Sequence, residues 1–172
     1  RLCEWRAASW QTDEAAHALA RRLRVRLEAG LSLDHFHTHA AHFDAEWLFG
    51  TFMMAAMGFG QLDRRDDLDF AVTQLADDPA LRHFDTHRWH RDAFAHLDAP
   101  DGHMALLGYL GLPLGLQRLA GGRNPLHAAL VAGIERRLVA APDGNAETFP
   151  GEIYPVDNAA AVGALALAAR AE

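Results

Sequence analysis

Glu46 to Gln61 reads EWLFGTFMMAAMGFGQ, and the segment after it, Asp63 to Asp77, reads DRRDDLDFAVTQLAD. The first is apolar on every side, with glycines and alanines where another backbone can come close, which predicts a helix buried all round. The second is charged and carries a thin apolar stripe of Leu68, Val72 and Leu75, which predicts an outer-layer helix. A buried helix followed by an exposed one is a helical hairpin.

The same order returns downstream. His103 to Ala120 is almost wholly apolar and stops at Gly121-Gly122. Asn124 and Pro125 then supply an N-cap and a first-turn proline for an amphipathic helix from Leu126 to Ala140, striped by Leu126, Leu130, Ile134 and Leu138. After a loop from Pro142 to Pro155, a third apolar helix begins near Asp157-Asn158 and runs through Val162, Leu165 and Leu167. Upstream, Thr12 is the expected N-cap of a helix with Asp13 and Glu14 in its first turn, an apolar stripe of Leu19, Leu23 and Leu27, and Gly30 at its stop. Its arginines, Arg21, Arg22, Arg24 and Arg26, read as a solvated face. Between Pro79 and Gly102 the chain is irregular and rich in His, with a short helix expected around Trp89 to Leu97. No strand-type alternation is long enough to argue for a sheet.

The fold expected from this pattern is an all-α toroid, the α/α barrel of helical hairpins around a central pocket. Three buried helices fall short of a twelve-helix ring, so about half of one is expected. The chain opens at Arg1 and closes at Glu172 inside a helical stretch, and reads as a single domain over 1–172 truncated at both ends.

Composition narrows the functional classes. Half of the 172 residues are hydrophobic and 23% are charged, as in an ordinary globular domain. The net charge is −7 and all sixteen basic residues are Arg, with no clustered basic face of the kind nucleic acid requires. No apolar run reaches the roughly 18 positions of a membrane span, and no location is indicated beyond a cytoplasmic default. Cys3 is the single cysteine and has no thiol partner in the chain.

Three segments hold the residue types that acid/base chemistry needs. The strongest is Glu147 to Asn158, ETFPGEIYPVDN, which concentrates Glu147, Glu152, Tyr154, Asp157 and Asn158 at the start of a buried helix. Loops in that place line the cavity of a toroid, and carboxylates beside apolar walls have raised pKa values suited to proton transfer. A structural reading stands beside this one: Asp157 or Asn158 caps the helix and Tyr154 packs between prolines. The second segment, LDHFHTHAAHFDAEW, alternates His35, His37, His39 and His42 ahead of Asp44, Glu46 and Trp47. Its spacing lacks the helix register or strand context of known metal motifs, so a His-rich rim is preferred to a metal site. Asp44, Glu46 and Trp47 sit where an inner helix begins and are candidates to reach the cavity. In the third, Asp85 to Asp92, Trp89 could stack on a ligand and Asp92 or Arg88 could hydrogen-bond to it, or Trp89 could plug the core. His103 and Tyr109 lie six apart and do not share a helix face fully, but Tyr109 is expected to point its hydroxyl inward.

The W-x-x-D-x-F of Trp89, Asp92 and Phe94, the G-x-L-x-L-x-x-G-L-x-x-L of Gly108 to Leu119, and Pro142, Pro150 and Asn158 together resemble the linalool dehydratase–isomerase family from about Trp89 to Asn158. The resemblance implies an α/α barrel that moves water on and off acyclic monoterpene alcohols by side-chain acid/base catalysis, with no metal or cofactor. Thr148 and Asp157 stand where that family has its two loop cysteines, and Tyr109 where it has an inner-helix histidine. A carboxylate can replace a thiol in proton transfer; a threonine can only position.

These readings make Asp157, Tyr109, Glu152 and Tyr154 the expected catalytic residues. The expected substrate contacts are Thr148, Asn158, Trp89, Asp92, Trp47, Asp44 and His103. A cofactor-free lyase or isomerase acting on a small hydroxylated molecule comes first. A carbohydrate-active toroid enzyme, with paired carboxylates and Trp47 or Trp89 as a stacking platform, comes second. A non-catalytic helical-repeat binding module comes third. Half a barrel would also expose apolar surface, so a homo-oligomer is among the expected partners.

Overall fold

The computed structural model describes residues 12–172; Arg1 to Gln11, and Cys3 with them, lie outside the described residues. Seven α-helices make up the described chain: α1 Asp13–Glu28, α2 Ala41–Gln61, α3 Arg65–Asp77, α4 His83–Trp89, α5 Met104–Leu119, α6 Pro125–Ala140 and α7 Pro155–Arg170. Among the described residues the only β pairing is an isolated bridge between Phe149 and Glu152, so the protein is all-α.

The expected termini hold where a side chain can satisfy a helix end. Thr12 accepts from the Ala15 amide at 3.2 Å and Asn124 from the Leu126 amide at 2.9 Å, each relieving an orphan N–H of a first turn. α7 starts two residues before the expected Asp157-Asn158 entry: Pro155 stands in its first turn, where its missing N–H costs nothing.

α5 is the centre of the molecule, packing against α2, α3, α6 and α7. Its glycines face α7 at one-turn intervals. A Cβ on Gly108 would lie 2.9 Å from the Ala161 amide and the Asp157 carbonyl, and one on Gly111 or Gly115 would lie 2.6 Å from the Cβ of Ala164 or Leu167. Bare backbone is what lets α7 come this close, and the approach carries Asp157 to the wall of α5. On the other side of α5, Leu48, Phe52, Ala56 and Phe59 of α2 pack with Leu68, Val72 and Leu75 of α3 in one core.

Several expectations need correction. α2 is not buried all round: Trp47 is 60% and Met54 69% exposed, on the face turned away from α3 and α5. α7 likewise presents Val156 and Val162 to solvent, so only α5 is enclosed on nearly all sides. Apolar composition alone cannot distinguish a helix with neighbours on every side from one with neighbours on two. The short helix lies before Trp89, not after it: α4 ends there because His90 turns into the left-handed region at φ +54°, and only a single 3-10 turn, Phe94–His96, follows. In α1, Leu19 is exposed while Leu27 is buried, and Arg24 leaves the solvated face to lie 3.8 Å over the Phe70 ring and pair with Asp67 at 3.1 Å.

A candidate acid/base cavity

The loop between α6 and α7 is shaped by two local devices. Phe149-Pro150-Gly151-Glu152 is a tight turn closed by the Glu152 amide on the Phe149 carbonyl at 2.9 Å, with Gly151 at φ +75° after the proline, as a type II turn requires. Asn158, one turn into α7, ties the loop's other end. Its Oδ1 accepts from the Ala146 amide at 2.9 Å, and its Nδ2 donates to the Ala146 and Tyr154 carbonyls. Trp89 steadies the middle, donating from Nε1 to the Thr148 carbonyl at 3.2 Å.

This loop closes one side of a cavity of about 410 Å³. Its walls are apolar, with Phe43, Phe49 and Met53 from α2, Phe84 from α4, Ala105 from α5 and Phe149 from the loop. Into it converge Asp157 from α7, Tyr109 from α5, Glu152 and Tyr154 from the loop, Arg88 from α4, and Glu46 and His42 from α2.

Asp157 is buried yet does not cap its helix. The Thr148 hydroxyl accepts from the Tyr154 amide at 3.3 Å, so its own proton is free to donate to Asp157 Oδ2, at 2.8 Å. Burial pushes the Asp157 carboxyl above its ordinary value, against the hydrogen bonds from Thr148 and Tyr109 that favour its anion. Tyr109 is raised in turn, first by burial and then by the neighbouring Asp157 charge. At the mouth, Arg88 spans from the Phe149 ring, 4.4 Å below its guanidinium carbon, to Glu152 Oε1 at 2.5 Å, while the Tyr154 hydroxyl donates to Glu152 Oε2 at 2.9 Å. That last bond, added to the Glu152 charge, raises the Tyr154 phenol. Across the cavity, burial raises Glu46. His42 and Arg88 oppose this and the Asp157 and Glu152 charges reinforce it.

All four residues expected to be catalytic, Asp157, Tyr109, Glu152 and Tyr154, therefore line one cavity. The expected substrate contacts divide differently. Thr148 touches Asp157 rather than the open space. Asn158 is spent on the loop. Asp44 accepts from the Thr38 amide and hydroxyl, bonds that hold it below its usual range and order the approach to α2. Trp47 points to solvent. Trp89 packs on His103 with ring centres 4.9 Å apart, and His103 is enclosed with Asp85; neither lines the cavity. Asp92 accepts from the Phe94 amide at 2.8 Å and faces Arg82.

Of the three residues expected to reach the cavity from the start of α2, Glu46 does so, and Arg88, named as a possible hydrogen-bond donor to a ligand, joins it; His42, read only as part of a His-rich rim, was the less visible member. On α2 the positions 42, 46, 49, 50 and 53 form the cavity face while 48, 52, 55 and 59 form the core face, a division that composition hides because both faces are mostly apolar. Arg88 gains its place through Glu152, 64 residues away. Among the described residues no three His, Cys, Asp or Glu side chains come together as a metal-ligand set. No helix among them is long and apolar enough to cross a membrane.

The raised Glu46 carboxyl has a consequence for stability. A carboxyl raised in the folded state binds its proton more tightly there than in the unfolded chain, so its favourable contribution is complete at low pH and is lost as pH rises from the ordinary value of 4.5 through the folded one. Glu46→Gln, which cannot ionise, is expected to melt higher than the native protein at pH 7 to 8, with the gain disappearing below about pH 4. Melting curves across that range check it; a gain unchanged at acid pH would refute the cause given.

No protein family, curated protein or solved structure matches this chain.

Proposed function

We propose that this chain forms part of an α/α barrel of the linalool dehydratase–isomerase type and that its cavity carries cofactor-free acid/base chemistry on a small, largely apolar hydroxylated molecule. The observation that carries this reading is the convergence of Asp157, Tyr109 and Glu152 in one cavity with mostly apolar walls. An apolar pocket holds the carbon skeleton of such a substrate, and the few polar groups orient its one hydroxyl. Asp157 is the acid/base group, with a raised carboxyl and a fixed position. Tyr109 and Tyr154 orient oxygen or lend a proton, and Glu152, ion-paired with Arg88, is the second carboxylate. The motifs from Trp89 to Asn158 point the same way.

A carbohydrate enzyme would call for an indole platform at the site, and neither Trp47 nor Trp89 lines the cavity. A binding module would call for an open face without convergent titratable groups, whereas three carboxylates meet here.

The test is turnover of a panel of acyclic monoterpene alcohols to alkenes or rearranged alcohols, followed by gas chromatography, for the native protein and Asp157→Asn. The substitution keeps the shape and removes the titratable group, and is expected to cut turnover by about 100-fold or more. Unchanged turnover in Asp157→Asn would remove Asp157 from the chemistry; absence of turnover across the panel in the native protein would sink the alcohol reading.

A further inference from the structure

The cavity holds two buried or half-buried carboxylates, Asp157 and Glu46, that no cation among the described residues pairs, and their surroundings differ in a way that separates their roles. Asp157 receives hydrogen bonds. The Thr148 hydroxyl, which accepts from the Tyr154 amide, directs its proton to Oδ2 at 2.8 Å, and Tyr109 beside it acts on the same carboxyl in favour of its anion. Donors directed at a carboxylate stabilise its anion. Glu46 receives none. Among the described residues it makes no hydrogen bond and no ion pair, and the charged and titratable groups facing it act only through space: His42 one turn back on α2, Arg88 of α4, and Glu152 and Asp157 across the cavity. A half-buried carboxyl with no donor from the protein and open cavity before it is best satisfied as a neutral acid whose O–H is offered to a ligand oxygen.

We infer that Glu46 is the proton donor of this cavity and Asp157 its proton acceptor, so that a ligand hydroxyl is seated against Glu46 with an adjacent C–H turned toward Asp157. The inference rests on the acid/base reading of the site. In the reaction that follows, the Glu46 proton passes to the substrate hydroxyl, the C–O bond breaks and water leaves. The neighbouring C–H gives its proton to Asp157, and its electron pair becomes the new C=C bond. Glu46 ends as the anion and Asp157 as the acid, and exchange with solvent, for which His42 stands at the exposed end of α2, restores both. Nothing is oxidised or reduced.

Two readouts decide it. The first compares Glu46→Gln and Asp157→Asn on an acyclic tertiary allylic alcohol and on its acetate ester, whose leaving group departs as a stable anion without a proton. Glu46→Gln is expected to lose about 100-fold or more on the alcohol and to regain most of that on the ester; Asp157→Asn is expected to lose on both alike. Equal loss of Glu46→Gln on alcohol and ester, or none on either, overturns the assignment. The second follows ¹³C-labelled side-chain carboxyl signals, assigned with the same two variants, through a pH titration of the unliganded protein. Glu46 is expected to keep its proton to a higher pH than Asp157, and the reverse order overturns the assignment. If the native protein turns over neither alcohol nor ester, the dehydration reading falls by itself, and the titration order alone decides which group donates. Glu46 has no protein partner to lose, so circular dichroism of Glu46→Gln is expected to match the native spectrum.

Discussion

Replacing Arg137 with Ala is expected to destabilise the protein on the order of 4 kcal/mol. Arg137 is wholly buried, and its guanidinium donates to five backbone carbonyls: Asp101 and Gly102 from Nε, Leu97 and Gly133 from Nη1, and His96 from Nη2 at 2.7 Å. Four of the five belong to the irregular stretch between α4 and α5, which has few backbone bonds of its own. Burial pulls the guanidinium below its ordinary pKa, yet an Arg in this range stays charged. Truncation would orphan the carbonyls and leave a void. Arg137→Lys is expected to recover little, because an ammonium has three donors and cannot span two sides of a loop. Denaturant unfolding followed by circular dichroism measures both; a loss under about 1 kcal/mol for Arg137→Ala would show that water replaces the side chain at no cost. The stretch is connected to the cavity, since Gly102 lies under the Trp89 ring and Trp89 holds Thr148.

The second large effect concerns Asp85 and His103, a fully buried pair joined at 2.6 Å. Arg91 donates from Nε to His103 Nε2 at 3.2 Å, so His103 Nδ1 carries the proton given to Asp85. Asp85 Oδ1 has no hydrogen-bond partner among the described residues, and burial raises the carboxyl while His103 holds it down. His103→Ala would strand this carboxylate and is expected to cost about 3–5 kcal/mol at neutral pH. The sign with pH is specific. Without His103 the folded Asp85 carboxyl moves further above its unfolded value of 3.8, so stability is lost as pH rises through the window between them. The loss relative to the native protein is expected to be smallest at acid pH and to grow toward neutrality. Adding Asp85→Asn, which removes the charge, is expected to recover part of it. A pH-independent loss would point to packing beneath Trp89 instead of the stranded charge.

These two effects mark where the sequence was silent. Arg137 stands three residues after Ile134 on a helix whose stripe is plain, and an Arg there reads as solvated; only the carbonyls of a segment 35 to 41 residues away make it a buried hub. His103 was a candidate substrate contact, and its residue type fitted that role. The αL backbone at φ +63° that sends its side chain toward Asp85 cannot be read from its neighbours. Trp47 and Trp89, alike in the sequence, part company for the same reason: one has a neighbour to pack on and the other does not.

What the chain determined by itself were the local matters. Helical periodicity, the Thr12 and Asn124 caps, the Pro125 and Pro155 starts and the Pro150-Gly151 turn depend on residues within a few positions of each other, and so did the concentration of Glu152, Tyr154 and Asp157 in one loop. What only the tertiary structure decided is which groups meet across the molecule: Arg88 with Glu152, Thr148 set between Tyr154 and Asp157, and Glu46 alone on the far wall. Such meetings are set by how closely α5 and α7 approach over bare glycine backbone and by which side of α2 is left uncovered. These are properties of packed pairs of helices, and no single helix carries them in its sequence.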